Sequence, residues 1–295
     1  MQSFEYQKVY TLQEALNVAS ASKGTAAFLA GGTDLLVQIK EGKKQPRCVI
    51  DVKGIEEVGR LTLSRDEISI GALTSIRALE TSPPVLEKVP LLGQAAAKLG
   101  SIQIRHRATV GGNLCNASPS ADTAPALLAL EARVEICGNT GVRVVDLEKF
   151  FLGPGATVLG DGEILTRLKI PLTCIRRGSV YYKLSTRNAM DLAFVGVAIL
   201  IELDEEDRIS KVRIALGAVA PTPIRVSSVE KQLEGSRLSL KLARECGELA
   251  VQSCKPISDL RASADYRREM VRELCQQGLL AAYQQAKSST EGKNE

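Results

Sequence analysis

The sequence predicts a protein of mixed helices and sheets that is built from three packed units. Apolar strands alternate with helical stripes in residues 4–52, and alternating strands flank a Gly-Asn-Thr-Gly turn at 138–141. After residue 176, three long apolar strands precede two helical stripes. The predicted boundaries are 1–54, 55–175 and 176–286, and the polar tail 287–295 is expected to be disordered.

The composition is that of an ordinary globular chain and argues against several classes of function. Of 295 residues, 44% are hydrophobic and 24% are charged, and the net charge of +4 is too small to predict nucleic-acid binding. No apolar run has the length of a membrane span. The seven cysteines contain no Cys-x-x-Cys pair, so no metal site is predicted, and their odd number with no signal peptide favours the cytoplasm. With one histidine, His106, the chain offers few candidates for acid–base catalysis.

The first unit resembles a βαβ arrangement whose turn chemistry is unusual. Thr11 and Glu14 form a capping box at the start of a helix. A strand at 26–30 runs into Gly31-Gly32, a helical turn follows at 34–40, and a strand returns at 48–52. The chain has neither G-x-G-x-x-G opening such a unit nor G-x-x-x-x-G-K-[ST], so both common nucleotide-binding signatures are excluded.

The second and third units are predicted from periodicity and caps. In the second we expect an Ala-rich helix at 91–99, a helix with Asp122 as its N-cap, and a strand at 163–171. In the third we expect antiparallel strands at 180–184, 193–203 and 209–219. A second capping box is predicted at Ser227 and Glu230, before the helical stripes.

Two double-glycine segments carry the functional signal. One is Ala30-Gly31-Gly32-Thr33-Asp34, and the other is the stretch 109–122, which begins Thr-Val-Gly-Gly-Asn. Because glycine has no Cβ, backbone N–H groups can approach an anion closely and form a concave anion site. Two such turns suggest a long ligand with two phosphates, which indicates a dinucleotide.

Each of these features also has a purely structural interpretation. The first segment can be a strand-to-helix turn in which Asp34 or Thr33 only caps the helix. His106 can be a surface residue, and Arg107 can face solvent instead of adding positive charge near phosphates. Lys183 can extend to solvent or reach a ligand from the third unit. Asp122 suits a sugar hydroxyl or a ring N–H better than a phosphate, which it would repel.

At these residues the chain resembles the medium, FAD-binding subunits of the molybdenum hydroxylases, the group of xanthine, carbon monoxide and nicotinate dehydrogenases. The resemblance spans almost the whole chain. Within the group it is most similar to the bacterial xanthine dehydrogenase branch. The resemblance to the group as a whole rests on the order and spacing of six motifs. They are Ala-Gly-Gly-Thr-Asp-Leu at 30–35, Gln-Ile-Arg at 103–105, Thr-Val-Gly-Gly-Asn at 109–113, Ser-Ala-Asp at 120–122, Tyr-Lys at 182–183 and Met-Asp-Leu-Ala at 190–193.

The resemblance implies an α+β fold: a two-subdomain FAD-binding fold of the vanillyl-alcohol oxidase type, followed by a C-terminal domain with a three-stranded antiparallel sheet and helices. It also implies non-covalent FAD. The residues implied to contact FAD are Phe28, Leu29, Ala30, Gly31, Gly32, Thr33, Asp34, Leu35, Thr109, Gly112, Asn113, Asp122, Leu165 and Lys183.

The implied function is that of an electron-transfer subunit in a heteromeric complex. A molybdopterin subunit would hydroxylate a purine, an iron–sulfur subunit with 2Fe–2S clusters would relay electrons to FAD, and NAD or another acceptor would receive them. Three alternatives remain at this point. They are a complex acting on another substrate (carbon monoxide, nicotinate or an aromatic compound), a stand-alone flavoprotein oxidoreductase of the same fold, and a scaffold that has lost its cofactor.

Overall fold

The computed structural model describes residues 3–172, 176–187 and 189–289, and its first sheet is parallel. The strand order of this three-stranded sheet is β1-β3-β2, and both outer strands run parallel to β3. Its elements are β1 (Glu5–Lys8), α1 (Leu12–Ala21), β2 (Ala26–Leu29), α2 (Leu35–Lys40) and β3 (Cys48–Asp51). The predicted capping box at Thr11 and Glu14 is confirmed at the start of α1.

The second sheet is antiparallel and is interrupted by a series of short helices. Its five strands have the order β4-β5-β10-β6-β7. The elements of this region are β4 (Leu61–Leu63), β5 (Glu67–Gly71), α3 (Ile76–Thr81), α4 (Pro83–Lys88), α5 (Pro90–Lys98), α6 (Ile102–Arg107), α7 (Val110–Cys115), α8 (Thr123–Ala129), β6 (Arg133–Gly138), β7 (Gly141–Asp146), the two-stranded ribbon β8 (Phe151–Gly153) and β9 (Ala156–Thr157), and β10 (Ile164–Pro171). The predicted hairpin is confirmed, since Gly138 pairs with Gly141.

The third sheet packs against the core of the second unit on one face and against the helices of the third unit on the other. It consists of β11 (Arg176–Leu184), β12 (Val195–Leu203), β13 (Ile209–Gly217) and β14 (Ile224–Arg225), with α9 (Ser227–Leu233), α10 (Leu240–Gln252) and α11 (Ala264–Ser288). The three predicted strands are confirmed, and the two-residue β14 extends the sheet. All nine residues of β12 are buried. Ala198 and Leu200 join the core of the second unit, whereas Val197 and Ile199 face the helices of the third.

Helix α8 lies at the junction between the second and third units. All seven of its residues are buried, and it packs against α5 on one side and β12 and β13 on the other. A helix that is apolar on every face is stable only when it is surrounded by protein, because exposing any of its faces to water is unfavourable. The junction therefore fixes the position of Asp122, which immediately precedes α8.

Two predictions about helix ends are wrong. Glu230 does not cap α9, whose N-cap is Val226; its carboxylate instead accepts bonds from the Ile214 backbone and from Arg225. The predicted tail begins too early, because α11 continues through Lys287 and Ser288. The rest of the predicted tail, residues 290–295, lies outside the described residues. In the part of the chain that is described, no helix has both the length and the apolar character of a membrane span.

A glycine-to-alanine change tests the contact between β11 and α11. A Cβ at Gly178 would lie 2.0 Å from the Ala282 carbonyl oxygen and 2.7 Å from the Ala286 nitrogen. The helix backbone cannot retreat without losing its packing, so Gly178→Ala should lower the free energy of unfolding by about 2 kcal/mol or more in a urea titration. Gly59→Ala is the control, because nothing lies within 4 Å of its Cβ position. Equal unfolding midpoints for the two variants would contradict this close contact.

Candidate active site

The first glycine pair follows the carboxyl end of a parallel strand. Strand β2 ends at Leu29, and α2 begins at Leu35, so residues 30–34 form the connecting loop. Gly32 has a φ of 78°, in the left-handed region where a side chain would be strained. The carboxyl ends of parallel strands are where α/β sheets commonly bind ligands.

This loop leaves a run of backbone donors available. In the described structure, the N–H groups of residues 31–35 donate no hydrogen bond, whereas the Leu36 N–H already bonds the Gly32 carbonyl. Asp34 precedes the helix but its side chain makes no capping bond, so the interpretation of Asp34 as a helix cap is wrong. Consecutive free N–H groups beside a glycine form a concavity that suits a phosphate.

The second glycine pair differs from its prediction as a turn. Gly111 and Gly112 lie inside α7, whose N-cap Thr109 accepts a bond from the Gly112 N–H at 3.1 Å. The Gly111 N–H bonds the Ala72 carbonyl, and a Cβ at Gly111 would lie 2.6 Å from the Ala72 Cβ. Gly111 thus permits close packing, and the backbone donors of this pair are already used. Gly112 is exposed.

The two segments contact each other through backbone atoms. A Cβ at Gly31 would lie 2.1 Å from the Arg107 carbonyl oxygen, just before Thr109. A second link joins α2 to the end of α7, where the Gln38 amide donates to Asn116 Oδ1 at 3.0 Å. The Arg107 side chain is exposed and has no ion pair among the described residues.

Asn113 is oriented by a neighbour that sequence reasoning missed. The Thr123 hydroxyl donates to Asn113 Oδ1 at 2.5 Å. Because the amide oxygen is held in this way, the two amide N–H bonds point away from Thr123 and have no partner in the described structure. The Asn113 side chain can therefore donate to a ligand.

Asp122 and Lys183 meet in a buried cluster between the second and third units. Lys183 Nζ lies 2.8 Å from Asp122 Oδ2 and 2.9 Å from the Lys98 carbonyl oxygen. The Tyr181 hydroxyl donates to Asp122 Oδ1 at 2.9 Å. The side chains of Lys183 and Asp122 are only 5% and 7% exposed. Lys183 therefore does not extend to solvent. Asp122 occupies the predicted N-cap position of α8, but its side chain makes no capping bond there.

Burial dominates the ionisation of this cluster. It raises the pKa of the Asp122 carboxyl, and the charge and hydrogen bond of Lys183 together with the Tyr181 bond offset part of that rise. Burial and the nearby carboxylate both raise the pKa of the Tyr181 hydroxyl. The tyrosine therefore acts as a hydrogen-bond donor and remains neutral.

The remaining candidates mainly belong to the core. Leu165 is 3% exposed on β10, and Leu29 packs with Ile39 and Val49. Phe28 is half-buried against the main core. Burial raises the pKa of the Cys115 thiol to about 12, so this cysteine is not a reactive thiolate. Among the described residues, no group of three or more His, Cys, Asp or Glu could hold a metal ion.

Comparison with known proteins gives matches along almost the entire chain. A family model described as the FAD binding domain in molybdopterin dehydrogenase matches residues 2–173, and the CO dehydrogenase flavoprotein C-terminal domain matches residues 180–282. The chain is 34% identical to the putative xanthine dehydrogenase FAD-binding subunit of Escherichia coli (strain K12), covering 91% of this chain and 92% of the relative. It is 33% identical to the glyceraldehyde dehydrogenase medium chain of Sulfolobus acidocaldarius, covering 92% and 95%.

A solved structure shows the same fold. Carbon monoxide dehydrogenase from Hydrogenophaga pseudoflava, in a form that lacks the Mo-pyranopterin moiety of its molybdenum cofactor, superimposes with a TM-score of 0.93. It is 31% identical, with 96% of this chain and 98% of that chain covered. Together with the matched domains, this defines an oxidoreductase flavoprotein whose cofactor is FAD. The chain belongs to the family of FAD-binding subunits of the molybdopterin dehydrogenases, also called molybdenum hydroxylases.

The contact at Gly31 can be tested in the protein without FAD. Gly31→Ala places a methyl group against the Arg107 carbonyl, so the two segments must separate. We expect faster amide hydrogen exchange in residues 30–36 and 107–113, and a free energy of unfolding lower by about 1–3 kcal/mol. Gly153→Ala is the control, since its Cβ position is open. Unchanged exchange in both segments would show that they do not depend on this contact.

Proposed function

We propose that the loop at 30–34, Asn113 and the Asp122–Lys183 pair together hold the FAD molecule. The observation that carries this proposal is the run of free N–H groups at residues 31–35, which lies against the segment that leads to Asn113. A dinucleotide has two linked phosphates, and backbone N–H groups with an amide are donors suited to them. Within the proposed site, Phe28, Ala30, Thr33, Leu35, Thr109, Gly112 and Leu165 line or support the cofactor.

The donors present fit such a ligand. Gly32 and the exposed Gly112 leave room for close approach, and one N–H of Lys183 has no partner among the described residues. When FAD is bound, its flavin supplies the electron-transfer chemistry, while the protein supplies orientation and electrostatics. The chain's own residues bind the phosphates, orient the cofactor and exclude water at the junction of the second and third units. No side chain is assigned to acid–base catalysis.

We further propose that the chain is the electron-output subunit of a larger complex. In this proposal a molybdopterin subunit oxidises the substrate, and an iron–sulfur subunit with 2Fe–2S clusters passes electrons to the FAD-binding chain. NAD or another acceptor then receives them. The oxidoreductase subunits among its relatives support this proposal. The assembled complex is expected in the cytoplasm.

For the substrate we propose a purine of the xanthine type, on the similarity to xanthine dehydrogenase subunits. The alternative is a complex for another substrate, because the identity to the glyceraldehyde and carbon monoxide dehydrogenase chains differs by only one or two percentage points. A second alternative is a stand-alone flavoprotein, which would reduce its FAD with substrate in the absence of partners. Purifying the complex through a tag on this chain, then assaying xanthine, glyceraldehyde and carbon monoxide with NAD, distinguishes these cases.

FAD uptake tests the assignment of the first loop. The chain, purified without flavin, should bind one FAD per molecule and gain visible flavin absorbance. In Gly32→Val a branched side chain meets Leu29 and Leu36 at a φ of 78°, so we expect at least about tenfold weaker FAD binding. Gly235→Val is the control, because Gly235 has a φ of 79° and open space but lies in the third unit. FAD binding by Gly32→Val as tight as by the control would contradict the assignment.

A further inference from the structure

We propose that Tyr181 is a positioning residue for the cofactor site: its hydroxyl holds the Asp122 carboxylate against the ammonium group of Lys183. This inference rests on the proposed function and deepens it, since it concerns how one of the FAD-binding groups is kept in place. Tyr181 itself is not assigned a contact with FAD. It acts through Asp122.

The geometry divides the two oxygens of Asp122 between two donors. Tyr181 occupies Oδ1 and Lys183 occupies Oδ2. Tyr181 and Lys183 are two residues apart on β11, so both side chains project from the same face of the strand. One carboxylate therefore receives two donors from a single strand of the third unit. The hydroxyl fixes the rotation of the carboxylate, and the carboxylate in turn fixes the ammonium.

One of the three N–H bonds of the Lys183 ammonium group has no acceptor among the described residues. Asp122 and the Lys98 carbonyl use two of its three N–H bonds, and among the described residues nothing accepts the third. The Lys183 side chain is only 5% exposed, and an N–H bond without an acceptor is uncommon on such a side chain, because buried polar groups are normally hydrogen-bonded. The free N–H is therefore available to a ligand, and its direction depends on the two bonds already made.

Hydrogen bonds from α5 and α11 hold the backbone of strand β11 in place around Tyr181. The Gln94 side chain from α5 accepts a bond from the Tyr181 N–H at 2.9 Å and donates to the Ser179 carbonyl at 3.2 Å. On the same strand the Ser179 N–H donates to Gln285 of α11 at 3.1 Å. These bonds lock the backbone that carries Tyr181. The tyrosine is 5% exposed, so removing its oxygen takes a hydrogen-bond donor away from Asp122 Oδ1 at a buried position.

The substitution Tyr181→Phe tests the role of the hydroxyl alone. FAD binding to the full chain, measured by absorbance or fluorescence titration, should weaken about tenfold, the size expected for a bond to a charged group. The matched control is Tyr182→Phe. Tyr182 lies next to Tyr181 but on the opposite face of β11, where it packs against the helices of the third unit. Its FAD dissociation constant should stay within about twofold of the wild-type value.

A double-mutant cycle shows whether Tyr181 acts through Asp122. Asp122→Asn should weaken FAD binding more than Tyr181→Phe. If the tyrosine acts through the carboxylate, adding Tyr181→Phe to Asp122→Asn should change the dissociation constant by less than about twofold. A further tenfold loss in the double variant would overturn the proposal, because it would mean that Tyr181 acts independently of Asp122.

The pH dependence of FAD binding gives a readout that a purely structural tyrosine would not change. Asp122 faces Tyr181 and Lys183 of β11. The charged residues of β12, β13 and β14 lie toward the other end of α8. There Lys211 and Arg213 pair with Glu131, and Arg225 donates to the Leu128 carbonyl. Glu202 lies opposite Lys211 in the sheet. Loss of the hydroxyl raises the pKa of Asp122 further, so the carboxylate takes up its proton at a higher pH. As the pH is lowered, the affinity for FAD should begin to fall at a higher pH in Tyr181→Phe than in Tyr182→Phe.

The outcomes separate this inference from the proposed function. A wild-type chain that takes up no FAD contradicts the proposed function, and the role of Tyr181 is lost with it. If the wild-type chain binds FAD and Tyr181→Phe binds it equally well with the same pH profile, only the role of Tyr181 is overturned. Weaker binding with a shifted profile and no additivity with Asp122→Asn supports it.

Discussion

At Gly31 there is no room for a side chain, and this constraint determines how the first two units of the chain meet. The loop after β2 approaches the Arg107 carbonyl so closely that even a methyl group would overlap it. This contact brings the free N–H groups of the loop to the segment that carries Thr109 and Asn113. If the loop and this segment lay further apart, the backbone donors of the loop and the Asn113 side chain could not contact the same ligand. A site for an extended ligand requires both groups on one surface.

The third unit contributes Lys183 to the proposed site. Lys183 and Tyr181 reach across the junction to Asp122, and the ion pair between Lys183 and Asp122 is almost fully buried. Burying two charges costs several kcal/mol per ion unless the geometry and the additional hydrogen bonds offset that cost. Here the Lys98 carbonyl and the tyrosine hydroxyl supply those additional bonds. The C-terminal domain is therefore part of the proposed site and not an appendage to it.

Local signals predicted the parts of the structure that depend on neighbours in sequence. The Gly138–Gly141 hairpin, the capping box at Thr11 and the apolar strands of the third sheet are examples. The second glycine pair was mistaken for a turn, although Thr109 is a capping residue three positions before Gly112. The need for Gly111 arises from Ala72, which is distant in sequence. In the same way, Tyr181 and Asp122 are 59 residues apart, so no periodicity or motif joins them.

The pairing of Lys183 also bears on how an electron carrier can be held. A lone buried ammonium would be costly, and its positive charge would stabilise a neighbouring group that has gained electrons. Asp122 cancels that charge but leaves one charge-assisted donor in place. In the proposed site the cofactor thus gains a strong orienting hydrogen bond without a net positive charge beside it. In the same proposal the phosphates meet the backbone dipoles of the loop at 30–34. Binding strength and electron affinity can then be adjusted by different residues, which suits the proposed role of a subunit that accepts electrons and releases them again.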